Sequence, residues 1–274
     1  MLASHSSRRR AGALIAGLAV AVSGVLVTAA ASGGAAHGAD TPKPTVVLVH
    51  GAFADSSSWN GVVARLRRRG YPVVAAAKPL RSLASDATYV SVVVHAVTGP
   101  VILVGHSYGG SVITNAARGN ANVKALVYVA GFAPDTDETA LELSNKFPGS
   151  TLGPTLEQLP LGGGAVDLRV RQHLFPQQFA ADVPLPDARL MTVAQRPITA
   201  AALAEPSGEP AWRSIPSWFL IPTADKHIPP AAQRFMAQRA SGSIVIVRNA
   251  SHAVLVSQPN STARLIERAA NPTT

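Results

Sequence analysis

The chain of 274 residues has no cysteine. That absence excludes a disulfide framework, a thiolate zinc site, an iron–sulfur cluster and a cysteine nucleophile, so any nucleophile is an oxygen or an amine. Aromatic residues make up only 5% and charged residues 14% of the chain. Acids are the scarcer charge, with 15 Asp and Glu against 24 Lys and Arg and a formal net charge of +9. Basic excess of this kind raises the question of nucleic acid, but its distribution answers against it. Arg8, Arg9 and Arg10 form one run, Arg65, Arg67, Arg68 and Arg69 end a single helical pattern, and no aromatic or Gly-rich partners for base stacking are interleaved with them. Also missing are a His-x-x-x-His pair, a carboxylate cluster and a phosphate-cradling P-loop, so neither a metal nor a nucleotide cofactor is expected.

What is present begins with an address. Ser6-Ser7-Arg8-Arg9-Arg10 precedes an apolar Ala- and Gly-rich run from Ala11 to Ala31, broken only by Ser23 and Thr28, and small residues follow. Basic, apolar and small-residue regions in that order read as a secretory signal peptide over residues 1–38, with Ala36-His37-Gly38 a small-x-small cleavage site. The run is long enough to span a bilayer, yet its Ala and Gly content makes it weakly hydrophobic, so cleavage is expected and no stable membrane insertion afterwards. Ser7-Arg8-Arg9 partly matches a twin-arginine signal, although Ala11 and Gly12 stand where a bulky apolar residue is usual, so twin-arginine and general secretory export both stay open. Either route predicts a secreted or periplasmic protein, and cleavage takes three arginines and no acid with it.

With 47% hydrophobic residues the remainder is a globular domain, residues 39–274. Thr45-Val46-Val47-Leu48-Val49-His50 is a continuous apolar run bounded by Pro44 and Gly51, as suits a strand buried on both faces. Similar runs lie at Pro72–Ala77, Pro100–Gly105, Val123–Ala130, Ser217–Pro222 and Ser243–Arg248. Helical patterns alternate with them at Ser57–Arg69, Ser85–Val97, Tyr108–Ala117, Pro230–Ala240 and Gln258–Ala270. Short buried strands alternating with helices predict a three-layer α/β domain whose sheet of about six strands is mostly parallel. From about 134 to 212 no strand–helix unit is clear, and Gly162-Gly163-Gly164 reads as a turn. This insertion is expected to cap a pocket at the carboxyl edge of the sheet.

The chemistry centres on Gly105-His106-Ser107-Tyr108-Gly109-Gly110, directly after the strand Val101–Val104 and before a helix. In a strand–turn–helix, small residues around a serine permit a tight turn that lifts its hydroxyl clear of the sheet edge. Ser107 is therefore the expected nucleophile. A serine hydroxyl needs a base, and the later histidines are His173, His227 and His252. His252 follows the last strand in a short loop, which places it at the carboxyl edge and selects it. The base in turn needs an orienting carboxylate, and Asp225 follows the strand Ser217–Pro222, with Asp135 and Asp137 as fallback acids. An oxyanion requires two preorganised donors: the N–H of Tyr108, after the nucleophile, and that of Ala52 in the loop His50-Gly51-Ala52-Phe53, with Phe53 as second choice. His50 reads as a structural turn residue. Phe53 and Tyr108 are expected to line the substrate pocket, whereas Trp59, Trp212 and Trp218 read equally well as core.

Taken together, His50-Gly51-Ala52-Phe53, the hexapeptide around Ser107, Asp225 with Ile228-Pro229-Pro230, and Ser251-His252 resemble the α/β-hydrolase superfamily over nearly the whole domain. Asp55 to Trp59 resembles the branch that holds small carboxylesterases, methyl-salicylate-type esterases and hydroxynitrile lyases. The resemblance implies an α/β-hydrolase fold without the two leading antiparallel strands, and a cofactor-free serine esterase that passes through an acyl-enzyme on a small-molecule ester. Lyases of this branch carry threonine where this chain has Gly51 and lysine where it has Ala253, and both differences favour the esterase. The same triad would also serve a perhydrolase or haloperoxidase, and a ligand-binding protein with a retained triad is a further alternative.

Overall fold

The computed structural model describes residues 42–271, so the expected leader lies outside the described residues. The chain runs β1 (Thr45–Val49), α1 (Asn60–Arg68), β2 (Val73–Ala76), α2 (Leu83–His95), β3 (Val101–His106), α3 (Tyr108–Ala116) and β4 (Val123–Val129). An inserted segment then supplies α4 (Ala140–Asn145), β5 (Leu156–Gly162), β6 (Ala165–Val170), α5 (Phe175–Phe179), α6 (Leu185–Val193), β7 (Ile198–Thr199) and α7 (Ala200–Ala204). The alternation resumes with β8 (Ser217–Pro222), α8 (Pro230–Arg239), β9 (Ser243–Val247), α9 (Val254–Ser257) and α10 (Pro259–Ala270).

Six strands form one sheet in the order β2-β1-β3-β4-β8-β9, and every pairing in it is parallel. Why the strands are continuous apolar runs follows from the two cores. Val47, Val49, Leu103, Leu126, Tyr128 and Phe219 face one core with α2, α3 and α8, whereas Val46, Leu48, Ile102, Val104, Val127 and Leu220 face the other with α1, α9 and α10. Alternate residues of a strand point to opposite faces, so covering both faces requires an apolar residue at every position. The edge strands β2 and β9 are the exceptions, with Val74, Ile244 and Ile246 exposed.

Two departures from the sequence pattern have local causes. The helix expected from Ser57 opens instead as a 3₁₀ turn at Ser56–Trp59 before α1 begins, because the Asp55 carboxylate accepts from the N–H and Oγ of Ser57 and Ser58 Oγ bonds the Asp55 carbonyl. In the inserted segment, β5, β6 and β7 form a separate antiparallel sheet, and Gly162–Gly164 turns the chain between β5 and β6. Its strand β5 is mostly exposed, carries Pro160 and sits at an edge, so it lacks the apolar run that marks the central strands.

From β1 the chain steps outward to β2 and then returns to β3 on the other side of β1. Neighbouring connections thus diverge above the carboxyl ends of β1 and β3, which is where open parallel sheets leave a crevice for ligands.

Candidate active site

Ser107 terminates β3 at that crevice and precedes α3. Its backbone has φ 53 and ψ −124, a conformation in which a non-glycine residue is strained. Three bonds hold it there: Ser107 N–H donates to Val129 O (3.2 Å), and Ser107 O accepts from Gly110 N–H (2.9 Å) and Phe132 N–H (3.1 Å). The hydroxyl itself makes no hydrogen bond to the described protein.

Asp225 and His252 lie in the loops after β8 and β9 and meet across them. His252 Nδ1–H donates to Asp225 Oδ2 at 2.8 Å, with both side chains fully buried. That bond fixes the tautomer and leaves the lone pair of Nε2, which has no protein partner, open. Asp225 also accepts from His227 N–H (2.8 Å), Ile228 N–H (3.0 Å) and Gln233 Nε2 (2.8 Å). Burial pushes its carboxyl up to about 6 against the pull of these donors. Burial also lowers His252, to about 3, so its neutral form persists well below the ordinary histidine range.

The other candidates separate clearly. His173 is exposed, Asp137 is exposed, and Asp135 pairs with Arg213. His50 is buried, donates from Nδ1 to Gly51 O (2.8 Å) and accepts from Lys78 N–H (3.3 Å) at Nε2, which makes it a turn residue. Trp59, Trp212 and Trp218 stay out of the cavity beside Ser107. Phe53 N–H donates to Arg196 O (3.1 Å) and is therefore spent, whereas the N–H groups of Ala52 and Tyr108 donate to no described acceptor. A Cβ at Gly51 would come within 2.7 Å of the Ser107 Cβ, so no larger residue fits there without moving the serine.

Beside Ser107 lies a cavity of about 100 Å³ whose wall includes Ala52, Phe53, Tyr108, Phe132, His227 and Ile228, closed by α4 and residues of β5, β6 and α7. A larger cleft of about 570 Å³ between Lys43, Tyr71 and Arg264 is open to solvent and has no part in this constellation.

Several further residues support the site. His106 is buried and donates from Nε2 to His252 O (3.0 Å), which anchors the histidine loop from β3. From the inserted segment, Phe179 O accepts Ala253 N–H (3.0 Å), and Asp182 accepts from both N–H and Oγ of Ser251. The Phe179 ring also meets His252 edge-on at 5.0 Å. His227 stacks on His252 at 4.5 Å and 15°. Phe179 and Asp182 had no sequence cue, whereas His106 adjoins Ser107 and His227 and Gln233 lie close to Asp225 in the chain.

The chain that carries a serine on a strained strand–helix turn and a carboxylate-held imidazole, both at the carboxyl edge of a six-stranded parallel sheet, matches the Alpha/beta hydrolase family over residues 46–265. The chain belongs to it. Among curated relatives, Alpha/beta hydrolase nvfD of Aspergillus novofumigatus is 27% identical over 253 residues, covering 83% of this chain and 97% of the relative. Among solved structures, polyneuridine aldehyde esterase superposes with a TM-score of 0.73 at 16% identity, over 82% of this chain and 98% of its own. The pyrethroid hydrolase PytH does so with a TM-score of 0.68 at 22% identity, over 84% and 99%. This α/β-hydrolase therefore has hydrolases and an esterase among its relatives and structural neighbours. Among its described residues no helix is long and apolar enough to cross a membrane.

Proposed function

We propose that this α/β-hydrolase is an exported serine carboxylesterase that cleaves small to medium esters through an acyl-enzyme on Ser107. The observation that carries the reading is the His252–Asp225 bond, because it leaves Nε2, buried and without a hydrogen-bond partner, as an unoccupied proton acceptor. Ser107 Oγ attacks the ester carbonyl while His252 Nε2 takes its proton, and Asp225 stabilises the imidazolium. The oxyanion receives the N–H groups of Ala52 and Tyr108 and the positive end of α3. His252 then returns the proton to the departing alcohol, and water releases the acid by the same route in reverse. The open Ser107 hydroxyl is compatible with this scheme, since catalytic hydrogen bonds are often loose before substrate binds. The inserted segment acts as the cap, and the apolar wall of the cavity receives the acyl chain.

The test is a series of nitrophenyl esters of increasing acyl length. A cavity of about 100 Å³ is smaller than one of about 150 Å³ that holds benzene, so turnover is expected to be greatest for acyl chains of about two to four carbons and to fall beyond medium chains. No turnover of any ester would overturn the proposal and direct attention to peroxide-dependent chemistry.

The pH profile supplies a second expected result. Because burial lowers the His252 pKa, protonation occurs at lower pH than for a free imidazole, and the base stays active further into acid. The acid limb of kcat/KM is therefore expected to have its midpoint below about 6.5, the free histidine value. Rate measurements between pH 4 and 8 that placed the midpoint above 7 would contradict this environment for the base.

A further inference from the structure

Apart from the hydroxyls of Ser107 and Tyr108, which also lack a hydrogen-bond partner, the cavity beside Ser107 has almost no unspent polarity. Ser144 Oγ and Asn145 Nδ2 both donate to Leu141 O, at 2.8 and 2.9 Å, and Ser150 Oγ donates to His227 O at 2.9 Å. His227 is different. The residue lines the cavity, is 2% exposed, and neither of its ring nitrogens hydrogen-bonds to a protein group. Yet the ring is held firmly. The backbone N–H of His227 donates to Asp225 Oδ1, and its ring stacks on His252 while Phe53 and Phe179 meet it edge-on at 6.1 and 5.1 Å. A buried polar group without a partner is destabilising, and a ring fixed this well cannot turn away to find one.

We propose that His227 recognises an oxygen of the substrate. Resting on the esterase reading above, the preferred substrates are short-chain esters with a hydroxyl or carbonyl oxygen on the first or second carbon beyond the scissile carbonyl. The spacing argues for those positions. The reacting carbon must lie within reach of Ser107 and His252, and His227 stands one ring spacing, 4.5 Å, from His252. Atoms three covalent bonds apart in an extended chain lie about 3.8 Å apart, a separation comparable with that ring spacing, as between an ester carbonyl carbon and an oxygen on its second neighbour. Burial keeps His227 neutral, and a neutral imidazole offers one donor and one acceptor, so it accommodates a hydroxyl or a carbonyl.

The experiment compares kcat/KM for ethyl butyrate with that for ethyl 2-hydroxybutyrate, ethyl 3-hydroxybutyrate and ethyl 3-oxobutyrate, each normalised to its hydroxide hydrolysis rate. The wild type, His227→Phe and His227→Gln are assayed together. Phenylalanine keeps an aromatic ring against His252 and removes both nitrogens, and glutamine restores a hydrogen-bonding group. The wild type is expected to prefer at least one oxygenated ester by about tenfold or more, a modest value for a site that pairs a substrate oxygen. That preference should fall to about one in His227→Phe and be partly kept in His227→Gln. A wild-type ratio near one overturns the proposal, as does an undiminished ratio in His227→Phe. So does a uniform change for all four esters accompanied by a moved pH midpoint, because His227 would then act only on His252. If His227→Phe does not fold, the wild-type ratio and the glutamine variant still decide. Turnover of ethyl butyrate without preference defeats this inference alone, whereas turnover of none of the esters defeats the esterase reading with it.

Discussion

Ser107→Ala is expected to lower ester turnover by about 10⁴- to 10⁶-fold while leaving the fold intact. The size follows from the proposed chemistry: on that scheme no acyl-enzyme forms without Oγ, and only oxyanion stabilisation and substrate binding remain. Stability should change by no more than about 0.5 kcal/mol, because the hydroxyl makes no hydrogen bond whose partner would be orphaned. Alanine keeps the Cβ, so the backbone at φ 53 is strained to the same degree as before. Initial rates and a thermal melt on the same preparation check both halves. A variant that retained more than about 1% of turnover would remove Ser107 from the mechanism, since loss of any triad member ordinarily costs far more.

Gly110→Ala is expected to have the largest effect on the fold. A Cβ at this position would lie 2.2 Å from Phe132 O and 2.9 Å from Phe132 N, both backbone atoms. The contact cannot be relieved by a side-chain rotation. Phe132 N–H is bonded to Ser107 O, so moving that backbone also pulls on the turn that displays the serine. Overpacking of a well-filled interior costs roughly 1–3 kcal/mol, and a clash between two backbones belongs at or above the top of that range. For a domain of this size the expected fall in Tm is about 6–12 °C at 3 kcal/mol, or loss of soluble protein. Gly153→Ala is the control, with nothing within 4 Å of its Cβ, and should melt within a degree or two of wild type. Equal melting of the two variants would refute the packing argument.

The positions of these two residues in the sequence explain what could be read from it. Gly110 and Ser107 sit in a contiguous hexapeptide between an apolar run and a helical pattern, so a strand–turn–helix with a serine at the turn was legible from neighbours alone. The six sheet strands were legible for a related reason. Strands covered on both faces must be apolar at every position, and a run such as Thr45–His50 has no other economical reading. The inserted segment resisted the same treatment. Its strand β5 is largely exposed and its helices α4, α5 and α7 have only five or six residues, too short for a helical period to stand out.

Sequence by itself determined the three-layer architecture, the parallel sheet, the serine turn and the chain order Ser107, Asp225, His252. Those features are local, or follow from the order of local features along the chain. Only the tertiary structure decided which groups meet. His252 finds Asp225 across 27 positions, Asp182 finds Ser251 across 69, and His106 finds the His252 carbonyl across 146. Such contacts leave no periodic trace, because nothing about a residue's own neighbours records what the fold will set against it. For the same reason His227 reads in the chain as a residue beside an acid, and only the packed site shows a buried ring stacked on His252 with both nitrogens unpaired.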